Sequence, residues 1–352
     1  MRIAISIPTY RPHLKHNIEF LCSVVQHRTE AAIPDIHFTT SDESERIELE
    51  AFCQTLPEDV RTKVTVVSLH RELAALTAPG FTSDVDSGFA YGIIGFITFK
   101  KFLGLARVFK LGLDHVVILD SEVIQFRTAS LSDSLAAEVN RGEHRFSVAA
   151  YRGPWTTKVL HDSLRTVFRT YDNQDVFARA YGWYDNLCCF EREDFEGFMA
   201  FLGGEGDDRQ ILRATQKFRG FGFDWIAYQA WRHLEMHRKI QFVDMDERLT
   251  AAGITPRPKP QTENLYLYFT GNQAHNETVL KALNPPWVPF TRNEQYRQAI
   301  SKATPPECCL MFHADRRHPG VSALPSGARR LIKWVEPYLR SVAKKLLAIE
   351  DR

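Results

Sequence analysis

Residues 101–123, KFLGLARVFKLGLDHVVILDSEV, constrain the fold of this chain more than any other segment. They have the pattern of a helix, a glycine-containing turn and a buried strand at 115–119, followed directly by Asp120, Ser121 and Glu122. In open α/β sheets, ligands bind beyond the carboxyl ends of the strands. Carboxylate oxygens are the ligands that Mg²⁺ and Mn²⁺ prefer, so this segment predicts a metal and diphosphate site.

The first half of the chain alternates strands with helices. Strand patterns cover residues 2–8, 35–40 and 64–69, and helix patterns cover residues 14–27, 43–56 and 96–110. This order predicts an α/β fold with a mostly parallel sheet, right-handed crossovers and flanking helices. Residues 77–89 are rich in glycine, serine, aspartate and threonine, which predicts a surface loop that could act as a lid.

The second half is more mixed. Its strand patterns lie at 145–150, 184–191 and 239–243, and its helix patterns at 209–218 and 225–236. Prolines 256, 258 and 260, and later 285, 286 and 289, predict extended connectors. We therefore expect three regions: a nucleotide-binding and catalytic domain at 1–250, a proline-rich connector that completes the site at 251–326, and a basic amphipathic helix at 327–352.

That C-terminal helical extension has an apolar stripe on one face and lysines and arginines on the other, with Pro337 dividing it. Two interpretations stay open. The helix packs on the domain with a solvated basic face, or it lies on an anionic membrane surface as a peripheral contact.

Composition excludes several classes of protein. The 352 residues carry a net charge of +1, without the basic excess of a nucleic-acid-binding protein. Because a core-strand pattern starts at residue 2, we expect no signal peptide. The apolar stretch 89–99 is too short to span a bilayer. The six cysteines have neither zinc nor redox spacing, so we expect reduced thiols and a cytoplasmic protein.

Polar motifs follow three of the predicted strands. They are Pro8-Thr9-Tyr10-Arg11, Ser41-Asp42 and Asp120-Ser121-Glu122. Together these motifs resemble the GT-A glycosyltransferases, especially those of the family 2 type, over about residues 1–125. The resemblance implies a GT-A (Rossmann-like) fold, a nucleotide-sugar donor with a UDP-sugar as first choice, and Mn²⁺ or Mg²⁺.

The resemblance also implies how the donor is held. Pro8, Thr9 and Tyr10 would line the nucleobase pocket, with Tyr10 stacking on the base, and Asp42 would accept hydrogen bonds from the base or ribose. Read without the resemblance, Asp42 is a helix cap. Arg11 is a phosphate contact on charge grounds.

The acidic motif would hold the ribose and the metal. Asp120 would bind the ribose or support the metal, Ser121 would lie in the same cofactor site, and Glu122 would be the direct metal ligand. The family usually has aspartate where Glu122 stands, which puts strict metal dependence in question. Lys101 is a second phosphate contact on charge grounds, and His313 would close the metal site, although a surface turn is the alternative.

An inverting transferase needs a carboxylate that takes the proton of the acceptor hydroxyl. Asp224, at the predicted start of a helix, is the first candidate, with a plain helix cap as the alternative. Asp185 is the second.

These expectations describe a glycosyltransferase that moves a sugar to a saccharide or glycolipid acceptor in cell-surface polysaccharide or lipopolysaccharide synthesis, in the cytoplasm or on the inner face of the membrane. One alternative is a sugar-phosphate nucleotidyltransferase, which needs a glycine-rich loop after the first strand, whereas Thr9-Tyr10-Arg11 follows here. The other is a catalytically degenerate GT-A scaffold.

Overall fold

The computed structural model describes residues 2–27, 33–76, 93–121, 123–127, 136, 139, 144–148, 154–168, 188–204, 210–218, 224–244, 267–269 and 310–313. The chain divides into two units, Met1–Ala314 and Asp315–Arg352, and all described residues belong to the first. The predicted loop at 77–89, the proline-rich connectors and the C-terminal helix lie outside the described residues.

The strands and helices follow one another along the chain with these bounds. The strands are β1 Ile3–Pro8, β2 Asp35–Thr40, β3 Val64–Ser68, β4 His115–Ile118, β5 Val123–Arg127, β6 His144–Val148, β7 Cys188–Glu191, β8 Ile240–Asp244, β9 Leu267–Phe269 and β10 Leu310–His313. The helices are α1 Leu14–His27, α2 Glu43–Cys53, α3 Glu58–Arg61, α4 Leu69–Leu76, α5 Ile93–Lys110, α6 Pro154–Val167, α7 Arg192–Gly203, α8 Gln210–Gln216 and α9 Asp224–Leu234.

Five strands form the main sheet, in the order β3-β2-β1-β4-β7. The first four are parallel and β7 is antiparallel to β4. In the centre of the sheet, Ile5 of β1 lies opposite Ile36 of β2 and Val117 of β4. The sheet confirms the predicted fold class: a mostly parallel, Rossmann-like α/β sheet flanked by helices, as in a GT-A fold.

Alternating residues of β1 and β4 divide the core into two layers, because successive side chains of a strand point to opposite faces. Ile5 and Val117 pack in a cluster with Phe20 of α1. Ala4 and Val116 pack on the other face, in a cluster with buried residues of α5, α7 and α9, which include Phe102, Phe195, Phe198 and Tyr228. The sheet therefore lies between two layers of helices.

Helix α5 crosses the sheet over β1, with further contacts to β2 and β4. It approaches closely at Gly104, where an added Cβ atom would lie 3.0 Å from Oγ of Ser6 and 3.1 Å from Oγ1 of Thr39. A glycine at this position lets the helix lie low on the sheet and brings the preceding turn of α5 to the carboxyl ends of β1 and β2.

The remaining strands form smaller sheets. Strands β5, β10 and β9 are antiparallel neighbours, and β6 pairs with β8 in parallel. The sequence patterns did not predict α3, α4, β5, α6, α7, β9 or β10. Among the described residues, none of the helices has the length and apolar character needed to cross a membrane.

Candidate functional site

The carboxyl ends of β1, β2 and β4 lie side by side at one edge of the main sheet. Hydrogen bonds continue the pairing beyond the strands: the amide of Thr9 donates to the carbonyl of Thr39 (2.9 Å), and that of Leu119 donates to the carbonyl of Ser6 (3.0 Å). The three polar motifs identified in the sequence therefore follow neighbouring strands and meet at this edge.

Side chains connect the end of β1 to the acidic motif after β4. Thr9 Oγ1 donates to Asn17 Oδ1, and Asn17 Nδ2 donates to the carbonyl of Ser121 (3.0 Å). Nδ1 of His13 lies 2.5 Å from Oγ of Ser121, and its Nε2 lies 2.8 Å from the hydroxyl of Tyr10. The predicted base-stacking ring and the acidic motif are thus joined through one imidazole.

A second set of contacts connects the end of β1 to the end of β2. The ammonium of Lys100 donates to the carbonyl of Thr9 (2.6 Å) and to Oγ of Ser41 (2.8 Å). The carboxylate of Glu45 accepts from the amides of Arg11 and Ser41, both at 2.7 Å. Lys100 and Glu45 are buried, so these contacts hold the two loops together from below.

Burial lowers the pKa of Lys100 to about 8, although the carboxylates of Glu45 and Asp42 raise it. Lys100 therefore changes charge close to physiological pH, inside the contacts that hold the predicted nucleobase pocket.

The acidic motif faces a buried cation. Nζ of Lys101 lies 3.5 Å from Oδ2 of Asp224 and 3.9 Å from Oδ1 of Asp120. The side chains of Lys101 and Asp224 are 11% and 4% exposed, whereas that of Asp120 is 35% exposed. Burial lowers the pKa of Lys101, but the charges of Asp224 and Asp120 outweigh it and raise the pKa overall, so the ammonium stays charged.

The same cluster contains a thiol. Burial raises the pKa of Cys188 at the start of β7, against the lowering effect of the Lys101 charge. Cys188 is therefore a neutral group beside the ion pairs.

The donor chemistry of this edge fits a divalent cation in part. Asp120 has a partly exposed side chain with carboxylate oxygens, the type of ligand that Mg²⁺ and Mn²⁺ take. Within the described ranges, no group of three or more His, Cys, Asp and Glu residues could hold a metal ion. Glu122 lies outside those ranges, and the backbone of His313 pairs with Val123, the residue after it. The side chain of His313 is not among the described parts.

Most predicted site residues lie at this edge. Tyr10 is 39% exposed, as a ring that stacks on a base must be. Asp42 is the N-cap of α2, and its Oδ1 accepts from the amide of Glu45 (2.9 Å). Arg11 is directed to α2, where it pairs with Glu48 (2.7 Å) and donates to Ser44. The acidic part of the edge, next to Pro8 and Thr9, is formed by Lys101, Asp120, Ser121 and Asp224. Asp185 lies outside the described residues.

Four residues of the site were not recognised in the sequence: His13, Asn17, Glu45 and Lys100. Two signals could have found three of them. His13, the residue before α1, and Asn17, in its first turn, are four positions apart, which places them on the same side of the chain there. Lys100 and Lys101 are adjacent charges within the otherwise apolar first part of α5, where a buried charge requires a partner.

Comparisons with known proteins give likenesses of fold. No protein-family model matches the chain, and no curated protein sequence matches it significantly. Among solved structures, apo mouse xyloside xylosyltransferase 1 is 11% identical, with 70% of this chain and 86% of that chain covered and a TM-score of 0.37.

Two further structures are similar at the same level. Glucosyl-3-phosphoglycerate synthase from Mycobacterium tuberculosis, in complex with Mn²⁺, UDP and phosphoglyceric acid, is 14% identical, with 69% of this chain and 68% of that chain covered and a TM-score of 0.37. Apo WbbM bifunctional glycosyltransferase is 13% identical, with 63% of this chain and 38% of that chain covered and a TM-score of 0.31.

These structures are of GT-A-type glycosyltransferases, the class that the sequence resembles. TM-scores below 0.5 carry no information about function, and the grounds for a function are the contacts of this chain.

Proposed function

We propose that the chain is a glycosyltransferase that moves a sugar from a nucleotide-sugar donor, a UDP-sugar first, to a saccharide or glycolipid acceptor. The observation that supports it is the meeting of three polar loops at the carboxyl edge of β1, β2 and β4, with Tyr10, Asp42 and Asp120 on them. In open α/β sheets this edge is where ligands bind. Synthesis of a cell-surface polysaccharide or lipopolysaccharide is the pathway we propose for it.

In this proposal the nucleoside binds between the first two loops. Tyr10 stacks on the base with its exposed ring, while its hydroxyl stays on His13 (2.8 Å). Asp42 uses Oδ1 to cap α2 and would offer its other oxygen to the ribose or base. Lys100 and Glu45 keep the loops at a fixed separation, which lowers the cost of ordering them when the donor binds.

The diphosphate binds beside Asp120, and we propose Asp120, Glu122 and His313 as the residues that hold a divalent cation. The chemistry that Mn²⁺ or Mg²⁺ supplies in such a site is neutralisation of the charge on the leaving nucleoside diphosphate. Ser121, held by His13 and Asn17, keeps the loop that carries both acids in place.

A general base has to contact the acceptor hydroxyl. Asp224 is 3% exposed and paired with Lys101, so an acceptor reaches it only after that pair opens. We therefore propose Asp185 as the base. Asp185→Asn is expected to lower kcat about 100-fold with donor binding retained. If Asp224→Asn lowered kcat about 100-fold and Asp185→Asn did not lower it, Asp224 would be the base instead.

The function is tested by thermal unfolding of the full chain with UDP-, GDP-, CMP- and dTDP-sugars, each with Mn²⁺ and with EDTA. A UDP-sugar with Mn²⁺ is expected to raise Tm, and slow donor hydrolysis to release UDP. Glu122→Ala is expected to abolish the Mn²⁺-dependent part of the shift, and the exposed Glu58→Ala serves as the matched control. If no nucleotide-sugar shifts Tm, the transferase proposal fails; binding without hydrolysis or transfer indicates a degenerate scaffold.

A further inference from the structure

Positive and negative charges are unequal in number around Lys101. One ammonium faces two carboxylates, those of Asp224 and Asp120, so the group has a net charge of −1 when all three are ionised. The pair Lys101–Asp224 is buried, whereas the side chain of Asp120 is partly exposed to solvent. A structural ion pair needs one acid only, and the second acid lies on the ligand-binding edge.

The net charge decides what the site attracts. With Lys101 present, one divalent cation brings these three residues from −1 to +1. Without the ammonium, and with Asp224 still ionised, the same cation would bring them from −2 to 0. Glu122 adds the same charge in both cases and leaves the difference unchanged. The ammonium therefore weakens attraction for the cation and strengthens attraction for an anionic diphosphate.

We propose that Lys101 is a fixed cation of the acidic site, which offsets one carboxylate and makes the cation-loaded site one unit of charge more favourable to a nucleoside diphosphate than it would be without the ammonium. This inference rests on the proposed function. Lys101 acts through Asp120 and Asp224, and is therefore a positioning residue. The burial of its ammonium keeps water from screening the charge, which makes it effective at a distance of several ångströms.

The alternative is that Lys101 only stabilises the fold, by pairing with Asp224. The two roles predict different signs. A fixed cation opposes one ligand and favours the other, so its removal moves the two affinities in opposite directions. A purely structural role predicts that both affinities fall together when the site is disturbed.

The test measures binding in the full chain by isothermal titration calorimetry, with Mn²⁺ alone and then with UDP at saturating Mn²⁺. Lys101→Met is expected to bind Mn²⁺ about tenfold more tightly and UDP about tenfold more weakly, as a unit charge at this range predicts. Lys101→Arg keeps the charge and is expected to keep both affinities within about threefold of wild type.

A second variant guards against misfolding, since Lys101→Met leaves Asp224 buried without its cation. Lys101→Met combined with Asp224→Asn removes both charges and retains the net −1 on Asp120. This double variant is expected to return both affinities towards the wild-type values. Unchanged affinities in Lys101→Met, a fall in both, or a double variant as weak in UDP binding as the single one would each overturn the inference.

Failure of the inference differs from failure of the proposed function. A wild-type chain that binds no nucleoside diphosphate at any Mn²⁺ concentration contradicts the function. A wild-type chain that binds UDP with Mn²⁺, together with a Lys101→Met variant that does so equally well, contradicts the role of Lys101 alone.

Discussion

Nδ1 of His13 lies 2.5 Å from Oγ of Ser121, although 108 positions separate the two residues in the chain. The contact joins the turn that precedes α1 to the loop after β4, and both side chains are buried. Ser121 stands between the two acids of the motif, so whatever holds Ser121 also limits where those acids point.

We expect His13→Ala to weaken the binding of UDP with Mn²⁺ about tenfold, because the loop that carries Asp120 loses a buried hydrogen bond. Ser121→Ala removes the same bond from the other side. In a double-mutant cycle by calorimetry, the coupling free energy between the two changes should be about 1 kcal/mol. The exposed His70→Ala is the matched control, and additive effects of the two changes would show that the contact does not support binding.

A buried histidine in β2 predicts a loss of stability in acid. His37 is 5% exposed, and both ring nitrogens lack a hydrogen-bond partner among the described residues. Burial lowers the pKa of His37 to about 4, although Asp35 raises it. Because the unfolded chain takes up this proton near pH 6.5, the contribution is present above that pH and is lost as the pH falls towards 4.

The lowered pKa of His37 corresponds to a change in the free energy of unfolding on the order of 3 kcal/mol. Urea unfolding at pH 7, 5.5 and 4.5 should show a steep fall in the free energy of unfolding for wild type. His37→Leu should flatten the curve in this interval, while the exposed His70→Leu should leave it unchanged. Parallel curves for wild type and His37→Leu would contradict the assignment.

Gly104 predicts a steric effect with a specific rescue. Gly104→Ala should lower the free energy of unfolding by about 1–3 kcal/mol, because the new methyl group presses on Ser6 and Thr39 at 3.0 and 3.1 Å. In a background with Ser6→Ala and Thr39→Ala, the same change should cost less or even stabilise, as alanine favours a helix over glycine. An equal cost in both backgrounds, by urea unfolding, would refute this origin.

A buried ion pair connects α7 to α9, and its loss should be costly. Nε of Arg232 donates to Oδ2 of Asp194 (2.6 Å), and both side chains are below 5% exposed. Asp194→Ala should destabilise the chain by roughly 3 kcal/mol, since a buried guanidinium loses its main partner. Glu48→Ala, which breaks the exposed pair with Arg11, should cost less than about 1 kcal/mol. The free energies of unfolding are measured with urea. Similar losses for Asp194→Ala and Glu48→Ala would contradict the difference between the buried and the exposed pair.

The sequence predicted the parallel part of the sheet because its strands are apolar runs separated by helices. The direction of β7 was not predicted, since the pattern of a strand such as Cys188–Glu191 does not say which way it pairs. Helix α7 was missed although its signal is present: Phe195, Phe198, Met199 and Leu202 have helical spacing and are buried on one side.

For the site, the order of motifs along the chain was sufficient to predict which loops meet, because neighbouring parallel strands end at the same edge. The partners of individual side chains could not be predicted in this way. The sequence alone indicated Lys101 as a phosphate contact, whereas its ammonium lies beside two carboxylates. Such contacts depend on how deeply α5 lies on the sheet, which a close approach at Gly104 determines.

Lys100 and Lys101 are consecutive residues of α5, yet their ammonium groups reach opposite flanks of β1, one to Thr9 and Ser41 and the other to Asp120 and Asp224. A rigid helix cannot move one of them alone. Any shift or rotation of α5 would therefore loosen the contacts on both flanks of β1 in a single movement, those beside the proposed nucleoside loops and those beside the proposed phosphate site. The position of the whole helix is therefore constrained from both sides.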